Sequence, residues 1–541
     1  MHTVAPFYLG VGSPLAALPP GILVSVGSPS GSLPRLVLDA AADRSDAAAL
    51  IYRDRGISYA EIAEWVRRVG SGLRSLGVRK GDRVALLVGN VPEFVYALFG
   101  ATSIGAVVAP VNVMLTSEEL GYVLADCEAK VIVVEIASLP TVLAVRDRVA
   151  SIEHVLVVGP PPTPRETRSF DELLDEATTD GAEVDIGEDD LAVLAYTAGT
   201  TAHPKGAMLT HGNLVSNLRQ VHAVPALRET EDDVVLLALP LFHIYGLNAV
   251  LNLALMERAT ALLLERFDPA ETLTQIARHG VTVLVGAPPM FQAWLAVAEE
   301  RDVDLPSVRL AVSGAAPLPS EVLQAFDLRF GIPIWEGYGL TEAAPVVTTN
   351  ALGPIAKENS IGLPLPGLDV RLLDEDGEEA VDGDPGEILV RGPNVFRGYW
   401  GRPDETAAVL RDGWLHTGDV AYRDPDGSLF LVDRKKDLII VSGFNVFPKE
   451  VEDAIVAHPG VQECVVIGVP DERTGEAVRA FVVPRPGATV TADNIIEHCE
   501  VRLARFKIPS TIELAAELPR HVTGKVLRRE LLHDERVEEA P

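Results

Sequence analysis

Basic residues are in short supply: 46 Lys and Arg stand against 77 Asp and Glu, leaving a net charge of -31 over 541 residues. Such a chain repels a phosphate backbone, which disfavours nonspecific nucleic-acid binding and means that an anionic substrate must meet locally placed cations. Cysteine is scarcer still. Cys127, Cys464 and Cys499 are far apart, odd in number and in no CxxC spacing, so neither a disulfide framework nor a zinc site is indicated and a reducing, cytoplasmic setting is expected. Long apolar runs are also missing. No segment offers the ~18 or more uninterrupted apolar residues of a membrane span, which leaves peripheral membrane contact open. The first 34 residues contain no charged side chain. They lack the basic start of a signal peptide, and Pro14, Pro19, Pro20 and Pro29 interrupt the apolar stretch, so residues 1–31 are read as a flexible extension.

What is present describes a folded chain of more than one domain. Its length exceeds the roughly 250–300 residues at which single cores stop growing, and 48% hydrophobic with 23% charged residues is ordinary for a globular protein. Helical patterns at 59–76 and 93–103 alternate with apolar strands at 83–88, 106–111, 130–135 and 154–158, and a second series has strands near 234–238, 260–264, 281–285 and 308–312. This rhythm predicts two mainly parallel βαβ-type sheets covered by helices. After about Gly353 short strands and turns such as Asp374-Glu375-Asp376-Gly377 predict a small β-rich subdomain. A final α+β unit begins near Arg434. The expected fold class is therefore α/β, with a large domain at 32–433 and a small C-terminal domain at 434–541.

The segment Tyr196-Thr-Ala-Gly-Thr-Thr-Ala-His-Pro-Lys-Gly206 follows an apolar strand, 191–195. Its small residues let backbone N–H groups approach an anion, the hydroxyls of Thr197, Thr200 and Thr201 can donate to phosphate oxygens, and Lys205 adds charge. The G-x-x-x-x-G-K-[ST] spacing of a Walker A loop is absent. Standing alone, it is more readily a polar surface turn. Six further motifs follow in order: Leu239-Pro-Leu-Phe-His-Ile-Tyr-Gly246, Val312-Ser-Gly-Ala-Ala-Pro317, Trp335-Glu-Gly-Tyr-Gly-Leu-Thr-Glu342, Gly413-Trp-Leu-His-Thr-Gly-Asp419, Asp433-Arg-Lys-Lys-Asp437 and Pro519-Arg-His-Val-Thr-Gly-Lys525. The set resembles the adenylate-forming superfamily of acyl-CoA synthetases, aryl-CoA ligases, firefly luciferase and peptide-synthetase adenylation domains, from about residue 34 to 532.

The resemblance implies an AMP-forming ligase that joins a carboxylic acid to CoA through an acyl-adenylate, using ATP and Mg²⁺. It places Tyr338 against adenine, with Gly314, Ala315, Ala316 and Gly339 around the base. Thr341 is expected on the α-phosphate and Glu342 on Mg²⁺, whose hard-oxygen preference suits a carboxylate. Asp419 is expected to accept both ribose hydroxyls, supported by Arg434. Lys525 bridges carboxylate and α-phosphate, His243 orients or gates the carboxylate, and Ser442, Gly443 and Phe444 flank the CoA path. By the same resemblance Lys436 is expected to be the hinge of a mobile C-terminal domain. Each residue taken alone has an ordinary structural reading: a packed histidine, a turn aspartate, a solvated lysine. The loop departs from the commonest family form, with Ala198 in place of Ser and Ala202 in place of Gly, so one hydroxyl donor is lost and a β-carbon is added.

Amino-acid-activating members usually carry Asp where His243 stands, and a buried ammonium without a carboxylate partner is costly, which disfavours a 2-amino acid. Aryl-CoA ligases of the 4-coumarate type usually have lysine where Ile440 stands and Gln where Asn445 stands; the segment from Asp433 to Pro448 is more similar to bacterial medium- and long-chain fatty acid–CoA ligases. A fatty acid is the expected substrate. An aryl-CoA ligase, a fatty acyl-AMP ligase and an inactive binding homologue are the alternatives. Partners are expected to be small molecules, with a monomer or homodimer equally compatible.

Overall fold

The structure, a computed structural model, describes residues 31–159, 167–178, 184–197, 204–301, 303–374, 376–434, 439–441, 444–471, 474–500, 502–503, 505–520, 526–528 and 531. It is a large mixed α/β N-terminal domain built of sheet subdomains, followed by a smaller α+β domain. The first sheet has seven strands in the order Arg168–Ser169, His154–Val158, Ala129–Glu135, Arg83–Leu87, Val107–Pro110, Leu191–Thr197 and Lys205–Thr210. All neighbours run parallel except the last pair. Its central strands are apolar on both faces, Val84 to Leu87 and Val131 to Val134 all being buried, as expected of strands covered on both sides.

The second sheet has nine strands. Its parallel core is Thr260–Leu263, Val234–Leu237, Val283–Gly286, Leu310–Ser313 and Ile334–Gly339, and antiparallel strands Val346–Thr349 and Leu363–Pro364 extend one edge. The other edge is a hairpin, Ala48–Tyr52 with Arg55–Ser58, whose first strand pairs in parallel with Thr260–Leu263. That pairing joins residues more than two hundred positions apart and is absent from the sequence reading, which assigned nothing before residue 224 to this sheet.

Helix Tyr59–Ser75 follows the hairpin directly. Ser58 and Glu61 form a reciprocal capping box, and Ile62, Ala63, Val66, Val69 and Leu73 fall on one face and are buried in a core shared by both sheets. The β-rich region is a five-stranded antiparallel sheet that includes Gly386–Arg391, Trp414–Arg423 and Leu429–Arg434. The chain then passes to the last sheet, in which Ile439–Val441 pairs with Phe444–Val446 and with the long strand Gly475–Pro484. Val446, Val451, Ile455, Val466, Ala480 and Ile495 form a separate core there. Among the described residues, no helix is long and apolar enough to cross a membrane.

Candidate active site

Open parallel sheets bind ligands at the carboxyl ends of their strands, and four of the sequence motifs lie at such ends. The stretch Leu239 to Gly246 follows Val234–Leu237, Gly314 to Ala316 follow Leu310–Ser313, and Thr341 and Glu342 follow Ile334–Gly339. Thr197 ends its strand directly opposite Lys205. Thr200 and Thr201, with Ala198 and Ala202, lie outside the described residues.

Thr341 and Glu342 sit on a single 3-10 turn, Thr341–Ala343, which Ala344 ends in the left-handed region at φ 65. The Leu340 N–H donates to the Pro345 carbonyl at 3.0 Å. A Cβ on Gly339 would lie 2.1 Å from that same oxygen, so the close approach of the two strands requires glycine. Three buried asparagines hold the turn from outside. Asn394 donates to the Ala343 carbonyl at 2.6 Å, Asn248 to the Ala344 carbonyl at 2.7 Å, and Asn217 both donates to the Val346 carbonyl at 2.8 Å and accepts from its N–H at 3.1 Å. Asn248 belongs to a π-helical stretch, Tyr245–Asn252, that begins just after His243. None of these amides was found from sequence. Two asparagines inside helical segments, where the residue is a poor former, are the only trace they leave.

Glu342 accepts a hydrogen bond on Oε1 from the Tyr399 hydroxyl at 2.7 Å. Burial, and then the neighbouring Glu342 carboxylate, hold that hydroxyl well above its ordinary titration range. Tyr399 is itself fixed to the phosphate-loop strand. Met208 N–H donates to the Gly398 carbonyl at 2.9 Å and Trp400 N–H to the Gly206 carbonyl at 2.8 Å. The Lys205 ammonium stands 5.1 Å from the centre of the Tyr399 ring and forms an ion pair with Glu405. Tyr399 and Glu405 were likewise missed by the sequence reading.

Tyr338 and Asp419, 81 residues apart, are brought together: the Tyr338 hydroxyl donates to Asp419 Oδ2 at 2.6 Å, and both side chains are buried. One carboxylate oxygen is thus engaged by the phenol, so a ribose would share Asp419 with Tyr338. Asp419 faces Arg434 in the strand pairing. Only the backbone of Arg434 is described. The wall expected beside the base is set by Ala315, held at φ 71, and by Glu336, whose Oε1 accepts from the Leu318 N–H at 3.0 Å. Burial pushes the Glu336 carboxyl up to about 8 against the opposing pull of the Leu318 N–H and the Lys449 charge.

At the residue expected to orient the acid, His243 Nδ1 accepts from the Tyr245 N–H at 3.3 Å, and the Tyr245 ring lies so close to Gly314 that a Cβ there would meet it at 3.0 Å. Burial raises the Tyr245 hydroxyl, and no charged group contributes. Magnesium is held through one or two carboxylates, with phosphates and water completing its shell. Glu342 fits such a site, and among the described residues no group of three or more His, Cys, Asp and Glu side chains would hold a metal unaided. Lys436, Ser442, Gly443 and Lys525 lie outside the described residues, and Phe444 is described through its backbone alone.

Comparison with known proteins assigns the chain to a family. Residues 37–400 match the model of the AMP-binding enzymes, and residues 450–525 match the C-terminal domain of AMP-binding enzymes. These paired matches define an acyl-adenylate-forming ligase. The chain belongs to the AMP-binding enzyme family, in its AMP-forming acyl-CoA and aryl-CoA ligase branch, with ATP and CoA as substrates. It is 37% identical to the long-chain-fatty-acid–CoA ligase of Bacillus subtilis, covering 92% of this chain and 94% of that one. It is 40% identical to the feruloyl-CoA synthase of an Amycolatopsis species, covering 90% and 95%. The crystal structure of ATP-bound MatB from Rhodopseudomonas palustris superimposes with a TM-score of 0.86 at 34% identity, covering 94% and 99%.

Proposed function

We propose that the chain converts a fatty acid, ATP and CoA into acyl-CoA, AMP and diphosphate in the cytoplasm, and that the large and mobile domains meet at residues 433 and 434. An apolar acid is supported by the burial of Tyr245 beside Gly314, which raises its hydroxyl with no charged group contributing. A straight chain rather than an aromatic acid is favoured by the segment from Asp433 to Pro448 and by the Bacillus subtilis relative. The feruloyl-CoA synthase relative favours the aryl reading. Mass spectrometry of AMP and acyl-CoA formed from a panel of straight-chain and aryl acids separates the two. Turnover confined to the aryl acids would overturn the fatty-acid reading.

A carboxylate is a weak nucleophile toward a phosphorus ringed by negative oxygens, so the first step depends on cations and in-line positioning. Lys205 meets the terminal phosphates with the hydroxyls of Thr197, Thr200 and Thr201, Thr341 bonds the α-phosphate, and Lys525 bridges it to the attacking carboxylate. A bound magnesium ion on Glu342 would supply further charge neutralisation. Tyr338, Gly339, Gly314, Ala315 and Ala316 enclose adenine, while Asp419 and Arg434 hold the ribose. His243, beside Tyr245, orients the acid. In the second step the CoA thiolate enters past Ser442, Gly443 and Phe444 and attacks the acyl carbon, with AMP leaving as the anion. Replacing Lys525 by Ala should abolish adenylation yet spare much of the thioester formation from pre-made acyl-AMP; equal loss of both would remove this role.

A further inference from the structure

Lys205 does not wait for phosphate unpaired. Its ion-pair partner, Glu405, projects from helix Pro403–Val409, and its side chain is 12% exposed against 33% for Glu405. The helix start is anchored to the same strand system, because the Tyr399 N–H donates to Thr406 Oγ1 at 2.9 Å. Glu405 also faces a second cation, Arg402, at 3.6 Å. Arg402 is fixed in turn by Asp126 at 2.8 Å and by the Tyr122 hydroxyl at 2.8 Å.

We propose that Glu405 is a built-in counter-anion for Lys205 that the terminal phosphates of the nucleotide displace, and that it thereby limits how tightly ATP and diphosphate are held. The proposal rests on Lys205 as a phosphate contact. Three features make the exchange workable. A phosphate approaching Lys205 competes with a carboxylate already there, so part of its electrostatic gain is spent on displacement. Once Lys205 is taken, Glu405 retains Arg402 and is not left without a counter-charge. Finally, a carboxylate beside the phosphates repels them, and the repulsion favours departure of the diphosphate product. Tyr399 keeps the lysine in place throughout, since its ring supports the ammonium while its hydroxyl holds Glu342.

Glu405→Gln removes the charge and keeps the shape. Isothermal titration of the full-length chain with sodium diphosphate should show binding about two- to fivefold tighter, the range for one partly exposed ion pair, and the KM for ATP should fall by a similar factor. Glu405→Ala should move both in the same direction, which covers a Gln variant that fails to fold. Lys205→Ala should weaken diphosphate binding and, combined with Glu405→Gln, cancel the gain, because the two residues act on one ligand. Unchanged or weaker diphosphate binding in both Glu405 variants, with Lys205→Ala still impaired, would overturn the counter-anion and leave the phosphate role of Lys205 intact. No effect of Lys205→Ala on either measurement would overturn that role and the counter-anion with it.

Discussion

Glu336 keeps a proton at neutral pH that an exposed glutamate gives up. Its carboxyl is buried 3% exposed at the base of the loop from Gly314 to Leu318, and its native value of about 8 lies above the ordinary 4.5. An acid raised in this way gives stability that is fully present below its unfolded value and is lost as pH rises through its folded one. The parent should therefore lose stability relative to Glu336→Gln between about pH 4.5 and 8. Thermal unfolding of both proteins from pH 5 to 9 should show a gap widening in favour of Gln, which retains an acceptor for the Leu318 N–H. A constant gap would mean that the carboxyl ionises as a solvated one. Tyr399→Phe isolates another single bond. It keeps the ring under Lys205 and deletes the donor to Glu342, a hydrogen bond to a charged group worth about 1.5–3 kcal/mol. The KM for ATP at limiting Mg²⁺ should rise about tenfold, and an unaltered value would show that Glu342 needs no positioning.

At the scale of elements, the turn Thr341–Ala343 depends on Gly339 and on amides supplied by segments far away in sequence. Gly339→Ala should push the turn off the Pro345 carbonyl. About 1–3 kcal/mol of unfolding free energy and at least about a tenfold drop in adenylation kcat/KM are expected, checked by denaturant unfolding and by diphosphate release. The contrast between what the sequence disclosed and what it concealed is clear here. Helix Tyr59–Ser75 was legible because its capping box and buried face are written in neighbouring residues. Thr341, Glu342, Tyr338 and Asp419 were singled out as members of ordered motifs, and the structure brings Tyr338 and Asp419 into contact. Asn217, Asn248, Asn394, Tyr399 and Glu405 were not, because each acts through a contact with a segment at least 51 residues away. The π-helical turn at Tyr245–Asn252 was hidden too, since its apolar spacing resembles that of any short buried helix.

Across the whole molecule, the chain leaves the antiparallel sheet at Arg434 and enters the last sheet at Ile439. Under the proposed two-step reaction different groups are needed at one adenylate, and we propose this crossing as the pivot between them. Proline at Lys436 would fix φ near -65° and remove an N–H. Lys436→Pro should leave ATP-dependent adenylation largely intact and strongly slow thioester formation, measured as separate half-reactions. A folded variant with both rates at parental values would place the pivot elsewhere. The hairpin Ala48–Tyr52 and Arg55–Ser58 sets a different condition, one of timing. Its parallel partner, Thr260–Leu263, is made more than two hundred residues later. At about 5–20 residues per second the ribosome takes roughly ten to forty seconds to supply it. Throughout that interval the strand edge and the buried face of Leu50 and Ile57 have no sheet to join. A chain or fragment that ends before residue 263 therefore presents this strand edge without the parallel partner that covers it in the folded protein.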